Sequence, residues 1–120
     1  KHIKSNSIAT LLLHKRQNSN SRVKVDAKYR IIEFNERPEK QTESPNENCW
    51  VNSGIAILNK KILNFIKPNI STDLPKDIYS NIINTETLSG VPLTGYRCAI
   101  DSQQRYLQAL EDMKTGKFNY

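Results

Sequence analysis

The sequence predicts an α/β protein with a mixed β-sheet, a hairpin and flanking helices. Two observations support this prediction. Residues 8–58 contain short apolar or alternating segments with the length of strands, and residues 59–116 contain segments whose apolar residues recur at helical spacing. The 120 residues are 37% hydrophobic and 25% charged, which is typical of a globular chain. The longest apolar run, residues 8–13, is far shorter than the roughly 20 residues that cross a bilayer.

The first half of the chain predicts three strands. Residues 8–15 begin with the apolar run 8–13, in which both faces are apolar, and this favours a buried strand. Residues 22–26 alternate with a period of two, and residues 30–34 follow after a short turn. These two segments are therefore expected to form a hairpin with one face in water.

Residues 49–58 (Cys-Trp-Val-Asn-Ser-Gly-Ile-Ala-Ile-Leu) have the apolar content of a central strand. Asn52, Ser53 and Gly54 interrupt that content. Small and polar residues in a buried strand reduce its packing, so their presence there requires a structural or functional explanation. A β-bulge satisfied by its own backbone is one such explanation.

The second half predicts three helices and one strand. Asn59 caps a short helix that stops at Pro68, and Asp73 caps the next one. Residues 96–100 are expected to be a strand, after which Asp101 or Ser102 caps the last helix. The apolar stripes expected to face the core are Ile62, Leu63 and Ile66; Ile78, Tyr79, Ile82 and Ile83; and Tyr106, Leu107, Leu110 and Met113.

The net charge of +6 lies in the first third of the chain. Residues 1–40 carry ten Lys or Arg and four acids, a net of +6, whereas residues 41–120 carry eight of each. Such an excess is compatible with a solvated face, a phosphorylated ligand or nucleic acid. The two cysteines, with no visible export leader, are interpreted as reduced thiols of a cytoplasmic protein.

Five segments, in order, resemble the C-terminal half of a sugar-1-phosphate nucleotidyltransferase, the family that includes mannose-1-phosphate guanylyltransferases. Residues 8–13 resemble the strand that follows the family's first metal-site segment. Residues 32–38 (Ile-Glu-Phe-Asn-Glu-Arg-Pro) resemble its Phe-x-Glu-Lys-Pro motif, and residues 51–55 its Asn-Ala/Ser-Gly-Ile/Val strand. Residues 73–77 are similar to its Asp-Phe-x-x-Asp helix start, and residues 95–106 to its closing Asp-Thr-Pro-Glu-Asp segment.

The resemblance implies a reaction and a set of residues. A nucleoside triphosphate and a sugar 1-phosphate would give a nucleotide sugar and pyrophosphate, with Mg²⁺ held by carboxylates. Arg37 stands where the family has Lys and would bind the sugar phosphate, while Glu36 would contact sugar hydroxyls. Asn52 and Gly54 would line the sugar pocket, and Asp101 would hold the metal. Without the resemblance, Glu36 and Arg37 read as a charged turn and Asp101 as a helix cap.

The family's Gly-Gly-x-Gly-Thr-Arg-Leu loop, which cradles the triphosphate, is not found in these 120 residues. Residues 1–120 are therefore expected to be the sugar-phosphate-binding part of a Rossmann-like domain and inactive alone. The expected partners are a sugar 1-phosphate and a nucleoside triphosphate. No association with a membrane is expected, and an oligomer is possible. Two alternatives remain open: a non-catalytic sugar-phosphate-binding or regulatory module, and a small basic nucleic-acid-binding domain.

Overall fold

Five strands form one mixed sheet in the computed structural model, which describes residues 2–15, 21–35 and 49–117. The strand order is β3-β2-β4-β1-β5. The strands are β1 (Ala9–His14), β2 (Arg22–Val25), β3 (Ile31–Asn35), β4 (Cys49–Leu58) and β5 (Leu88–Pro92). The helices are α1 (His2–Ser5), a 3₁₀ helix (Lys60–Phe65), a wide π-type segment (Leu74–Tyr79) that continues as α2 (Ser80–Ile82), and α3 (Gln103–Lys114). The predicted α/β class with a mixed sheet is confirmed.

The predicted hairpin is also confirmed. β2 and β3 pair antiparallel, and Lys24 Nζ lies 2.9 Å from Glu33 Oε2 on the wet face. The carboxylate of Asp26 accepts the backbone N–H groups of Lys28 and Arg30, each at 2.9 Å. The Asp26 side chain thus satisfies backbone N–H groups in the turn that the sequence predicted between the two strands.

The last strand is not where the sequence predicted it. Residues 96–100 form no strand, and β5 instead comprises Leu88–Pro92, parallel to β1. Gly90 lies so close to β1 that a Cβ there would be 2.4 Å from Leu13 Cδ1, and its N–H donates to the Tyr29 carbonyl at 2.7 Å. Gly and Pro are unusual in strands. Gly90 is accommodated because β1 approaches it closely, and Pro92 because it is the last residue of β5.

The core lies between one face of the sheet and the helical segments after β4. Its largest fully buried side chains include Leu11, Leu13, Ile31, Leu88 and Val23. The second helical stripe is confirmed, since Ile78, Tyr79 and Ile82 are buried and Ile83 packs against them. In the first stripe Ile62 is buried and Ile66 packs against the core, but Leu63 is 59% exposed. A 3₁₀ helix turns about 120° per residue, so Leu63 points away from the face that buries Ile62. Ile66 lies just after the helix in extended backbone, so this rotation does not apply to it.

The apolar stripe of α3 does not face the core, contrary to the prediction. Tyr106, Leu107, Leu110 and Met113 are 51%, 55%, 37% and 63% exposed, respectively. The buried residue of this helix is Asp112. Helical periodicity correctly predicted an apolar face, but it carried no information about whether another element covers that face.

Candidate functional site

The interruption in β4 is a bulge. Leu11 and Leu13 of β1 pair with Ala56 and Asn52 of β4, so two steps along β1 match four along β4. Gly54 adopts a positive φ of 83°, the left-handed region that favours glycine. We call residues 52–54 the β4 bulge. The bulge that the sequence left open as one of two explanations is therefore present.

Side chains within the β4 bulge satisfy its own backbone. Asn52 Oδ1 accepts the Gly54 N–H at 3.2 Å, and Ser53 Oγ accepts the Ile55 N–H at 3.3 Å. Ser53 is buried, whereas Gly54 is exposed. A Cβ on Gly54 would meet no atom within 4 Å. The bulge thus presents bare backbone at an open surface, and the Nδ2 group of Asn52 can still donate to a ligand.

Arg97 brings a positive charge to the β4 bulge. Its Nη2 donates to the Ser53 carbonyl at 3.1 Å, across 44 residues of sequence. The guanidinium makes no other hydrogen bond or ion pair with a described residue. Its remaining N–H groups are in the planar arrangement that binds phosphate oxygens in pairs. No local pattern in the sequence singled out Arg97, because its role depends on a long-range contact.

Arg97 also lines a groove of about 470 Å³ along α3, which we call the α3 groove. Its walls are mostly apolar and include Ile100, Tyr106, Leu110 and Met113. Tyr106, Leu110 and Met113 are side chains that the sequence predicted in the core. The β4 bulge and the α3 groove therefore meet at one guanidinium.

A buried carboxylate attaches α3 to the segment before it. Asp112 accepts hydrogen bonds from Tyr96 Oη at 2.6 Å and Gln108 Nε2 at 3.0 Å, and it forms an ion pair with Lys117 at 3.0 Å. The Tyr96 hydroxyl, followed by Lys117 and Gln108, holds the pKa of Asp112 below its ordinary value. The same hydrogen bond, with burial, raises the pKa of Tyr96. This network fixes Tyr96, the residue before Arg97, against α3.

Asp101 lies just before α3 on the surface. Both of its carboxylate oxygens accept from Arg105 Nη1, at 3.0 and 3.1 Å. Ser102, one of the two predicted caps, is the N-cap, and its hydroxyl accepts the Arg105 N–H. Within residues 2–15, 21–35 and 49–117, no cluster of three or more His, Cys, Asp or Glu side chains is placed to hold a metal ion.

Glu36 and Arg37, the other two candidate residues, lie outside the described residues. The structure thus brings Asn52 and Gly54 together in one bulge, and Arg97 contacts that bulge. Asp101 is not part of this group, because it forms an ion pair with Arg105. Cys98, expected inside a strand, is a free, half-buried thiol in the loop that follows Arg97.

The second half of β4 is apolar and open. Ile55 and Ile57 are 61% and 60% exposed, and Ala56 and Leu58 are exposed as well. β2 pairs with β4 only at Cys49 and Trp50. Beyond Trp50, no strand in the described part of the chain pairs with the edge of β4 that faces away from β1. A strand of this composition is usually buried on both faces.

No protein-family model matches this chain, and no curated protein matches it either. Among the described residues, no helix has both the length and the apolar character needed to span a bilayer.

Proposed function

We propose that these 120 residues are the sugar-phosphate-binding part of a sugar-1-phosphate nucleotidyltransferase. The complete enzyme would join a sugar 1-phosphate to the α-phosphorus of a nucleoside triphosphate and release pyrophosphate. The observation that carries the proposal is the β4 bulge with Arg97 at its Ser53 carbonyl. It combines a bare backbone surface, a free amide donor and a guanidinium that has no carboxylate partner among the described residues.

Each group in this site has a role that its chemistry suits. Gly54 has no side chain and open space above it, so a sugar ring can approach the backbone there. The Nδ2 group of Asn52 donates to a sugar hydroxyl while its Oδ1 keeps the bond to Gly54. Arg97 donates two parallel N–H groups to the phosphate. A sugar phosphate therefore meets a matching group at each end.

Glu36 and Arg37 keep the roles that the family resemblance implies. Arg37 would be a second cation on the phosphate, and Glu36 would accept from sugar hydroxyls. Two arginines on one phosphate would stabilise the charge that develops during in-line transfer. The expected contribution of Glu36 and Arg37 adds to that of Arg97 and does not replace it.

Magnesium belongs to the complete enzyme in this proposal. Mg²⁺ is bound in such sites by one or two carboxylates together with water and substrate phosphates. Asp101 offers one exposed carboxylate, but both of its oxygens accept from Arg105. The Arg105 guanidinium competes with a cation for this carboxylate, and among the described residues no group of three or more His, Cys, Asp or Glu side chains surrounds it.

The exposed half of β4 supports a larger domain. An uncharged strand with an open edge is a template for pairing with another strand. We propose that the nucleotide-binding part of a Rossmann-like domain supplies that strand and covers Ile55 and Ile57. The mixed sheet with flanking helices agrees with such a fold at the level of class.

Calorimetric titration of the chain with mannose 1-phosphate and glucose 1-phosphate tests the proposal. Arg97→Met should weaken binding by about tenfold, because a hydrogen-bonded charge is removed. Lys28→Met removes the same charge from the exposed β2–β3 turn and should leave binding unchanged. Equal binding by the Arg97 and Lys28 variants would contradict the proposal.

A pyrophosphate-release assay separates the enzyme from the non-catalytic alternative. The 120 residues alone should release none from any nucleoside triphosphate, because the glycine-rich loop is not among them. Robust release by these residues alone would refute the assignment to the sugar-phosphate half. If the complete protein binds sugar 1-phosphate but releases no pyrophosphate, the non-catalytic module is correct.

A further inference from the structure

A second cleft, of about 350 Å³, lies between the end of the 3₁₀ helix and the helix that starts at Leu74. Ile78 and Ile82, both buried, form its floor, and Phe65 forms one wall. No residue of the β4 bulge or the α3 groove lines it. Its volume is at the low end of the range for small-molecule sites. It is therefore a separate place where a small ligand can bind.

Two opposite charges face this cleft without pairing with each other. Lys67 and Asp77 both line it, and no ion pair within 4 Å joins them. Lys67 has no charged partner among the described residues. Asp77 Oδ2 accepts the Asp73 N–H at 2.8 Å, which leaves Oδ1 available. Two unpaired charges over an apolar floor suit a ligand that carries both signs.

Neutral polar groups complete the rim. Ser71 makes no hydrogen bond with a described residue, so its hydroxyl is available to a ligand. Asn81 uses one N–H on the Asp77 carbonyl at 2.6 Å and keeps its Oδ1. The cleft thus offers a cation, an anion, a hydroxyl and an amide oxygen around a hydrocarbon surface, with a few polar groups fixing orientation.

We infer that this cleft binds a small zwitterion with an apolar side chain, the class of the free amino acids. The carboxylate pairs with Lys67 and Ser71, the ammonium with Asp77 and Asn81, and the side chain covers Ile78 and Ile82. A simple anion is attracted by Lys67 but repelled by Asp77. A simple cation is attracted by Asp77 but repelled by Lys67. Binding is therefore strongest when one ligand carries both charges. This inference is independent of the proposed function, since it uses other residues and another ligand.

Matched ligands test the preference for two charges. The full chain, labelled with ¹⁵N, is titrated with L-leucine, L-phenylalanine and their singly charged analogues, N-acetyl-L-leucine and L-leucine amide. The amide signals of Ser71 and Asn81 should move with the amino acids, and each analogue should bind several-fold more weakly. If N-acetyl-L-leucine binds as tightly as L-leucine, the cleft is an anion site and the inference is wrong. Shifts of equal size at Gly54 would show binding elsewhere and would also overturn it.

Matched variants test the two charges of the protein. Lys67→Met and Asp77→Asn should each weaken L-leucine binding about two- to fivefold, the range for exposed charge pairs. Asn at position 77 retains an oxygen that accepts the Asp73 N–H, so the helix start is kept. Lys76→Met removes a charge from the same helix outside the cleft and should have no effect. If Lys76→Met weakens binding as much as Lys67→Met, net charge and not this site is responsible.

Discussion

Gly90→Ala should destabilise the fold through a single close contact between β5 and β1. A Cβ at this position would lie 2.4 Å from Leu13 Cδ1 and 3.3 Å from Leu13 Cγ. Carbon atoms in favourable contact are about 3.5–4.0 Å apart, so about 1 Å of overlap must be relieved. Leu13 is fully buried, so its Cδ1 can move away only by displacing neighbouring core side chains. The overlap must therefore be relieved by movement of the Leu13 side chain or of the β1 and β5 backbones.

The expected cost follows from opposing terms. Inserting a methyl group into a packed core costs about 1–3 kcal/mol. Replacing Gly by Ala also restricts the unfolded chain, which returns about 0.4–1 kcal/mol. We expect a net loss of about 1–2 kcal/mol in the free energy of unfolding, measured by urea denaturation followed by circular dichroism.

Gly95→Ala is the matched control, because a Cβ at Gly95 meets nothing within 4 Å. It should be neutral or slightly stabilising. Leu13→Val removes Cδ1, the atom at 2.4 Å, so Gly90→Ala should cost at least about 0.5 kcal/mol less in that background. If Gly90→Ala is as stable as Gly95→Ala, the packing of β5 on β1 described above is wrong.

Three further changes test other parts of the structure. Gly54→Ala forces a side chain to a φ of 83° in open space, so it should cost about 1 kcal/mol from backbone strain alone, and a loss near zero in urea denaturation would contradict the bulge. Ser102→Ala removes the cap of α3 and should lower stability by about 1 kcal/mol, with faster amide exchange in the first turn of α3; unchanged exchange would exclude the cap. Tyr96→Phe removes the largest cause of the low pKa of Asp112, so an NMR titration should show that pKa rising toward 3.8. The stability from Asp112 is present above its unfolded pKa and is lost as pH falls, so this variant should unfold at a higher pH in acid; an unchanged midpoint would contradict the network.

Short-range patterns correctly predicted the parts of the fold that depend on neighbouring residues. The hairpin followed from period-two alternation, and the cap at Asn59 from the residue type before a helix, where its Oδ1 accepts the Lys61 N–H at 3.0 Å. The interruption at Asn52 and Gly54 was visible as polar and small residues in an apolar strand. Its bulge geometry was one of two explanations that the sequence could not separate.

The parts that the sequence did not predict depend on contacts between distant segments. The last strand was expected at residues 96–100, but the strand that pairs with β1 contains Gly90 and Pro92. The stripe of Tyr106 and Met113 predicted an apolar helix face but not its exposure. Arg97 reaches Ser53 across 44 residues, a distance over which no local pattern is informative.

Resonances of the β4 bulge in the presence of a sugar 1-phosphate test the central proposal most directly. A ¹H–¹⁵N titration with mannose 1-phosphate should shift the Gly54 amide, the Asn52 side-chain amide and the Arg97 guanidinium together. Mannose alone and inorganic phosphate alone should shift them less at equal concentration, because each engages only one end of the site. If all three signals stay unchanged up to millimolar mannose 1-phosphate, these residues do not form a sugar-phosphate site.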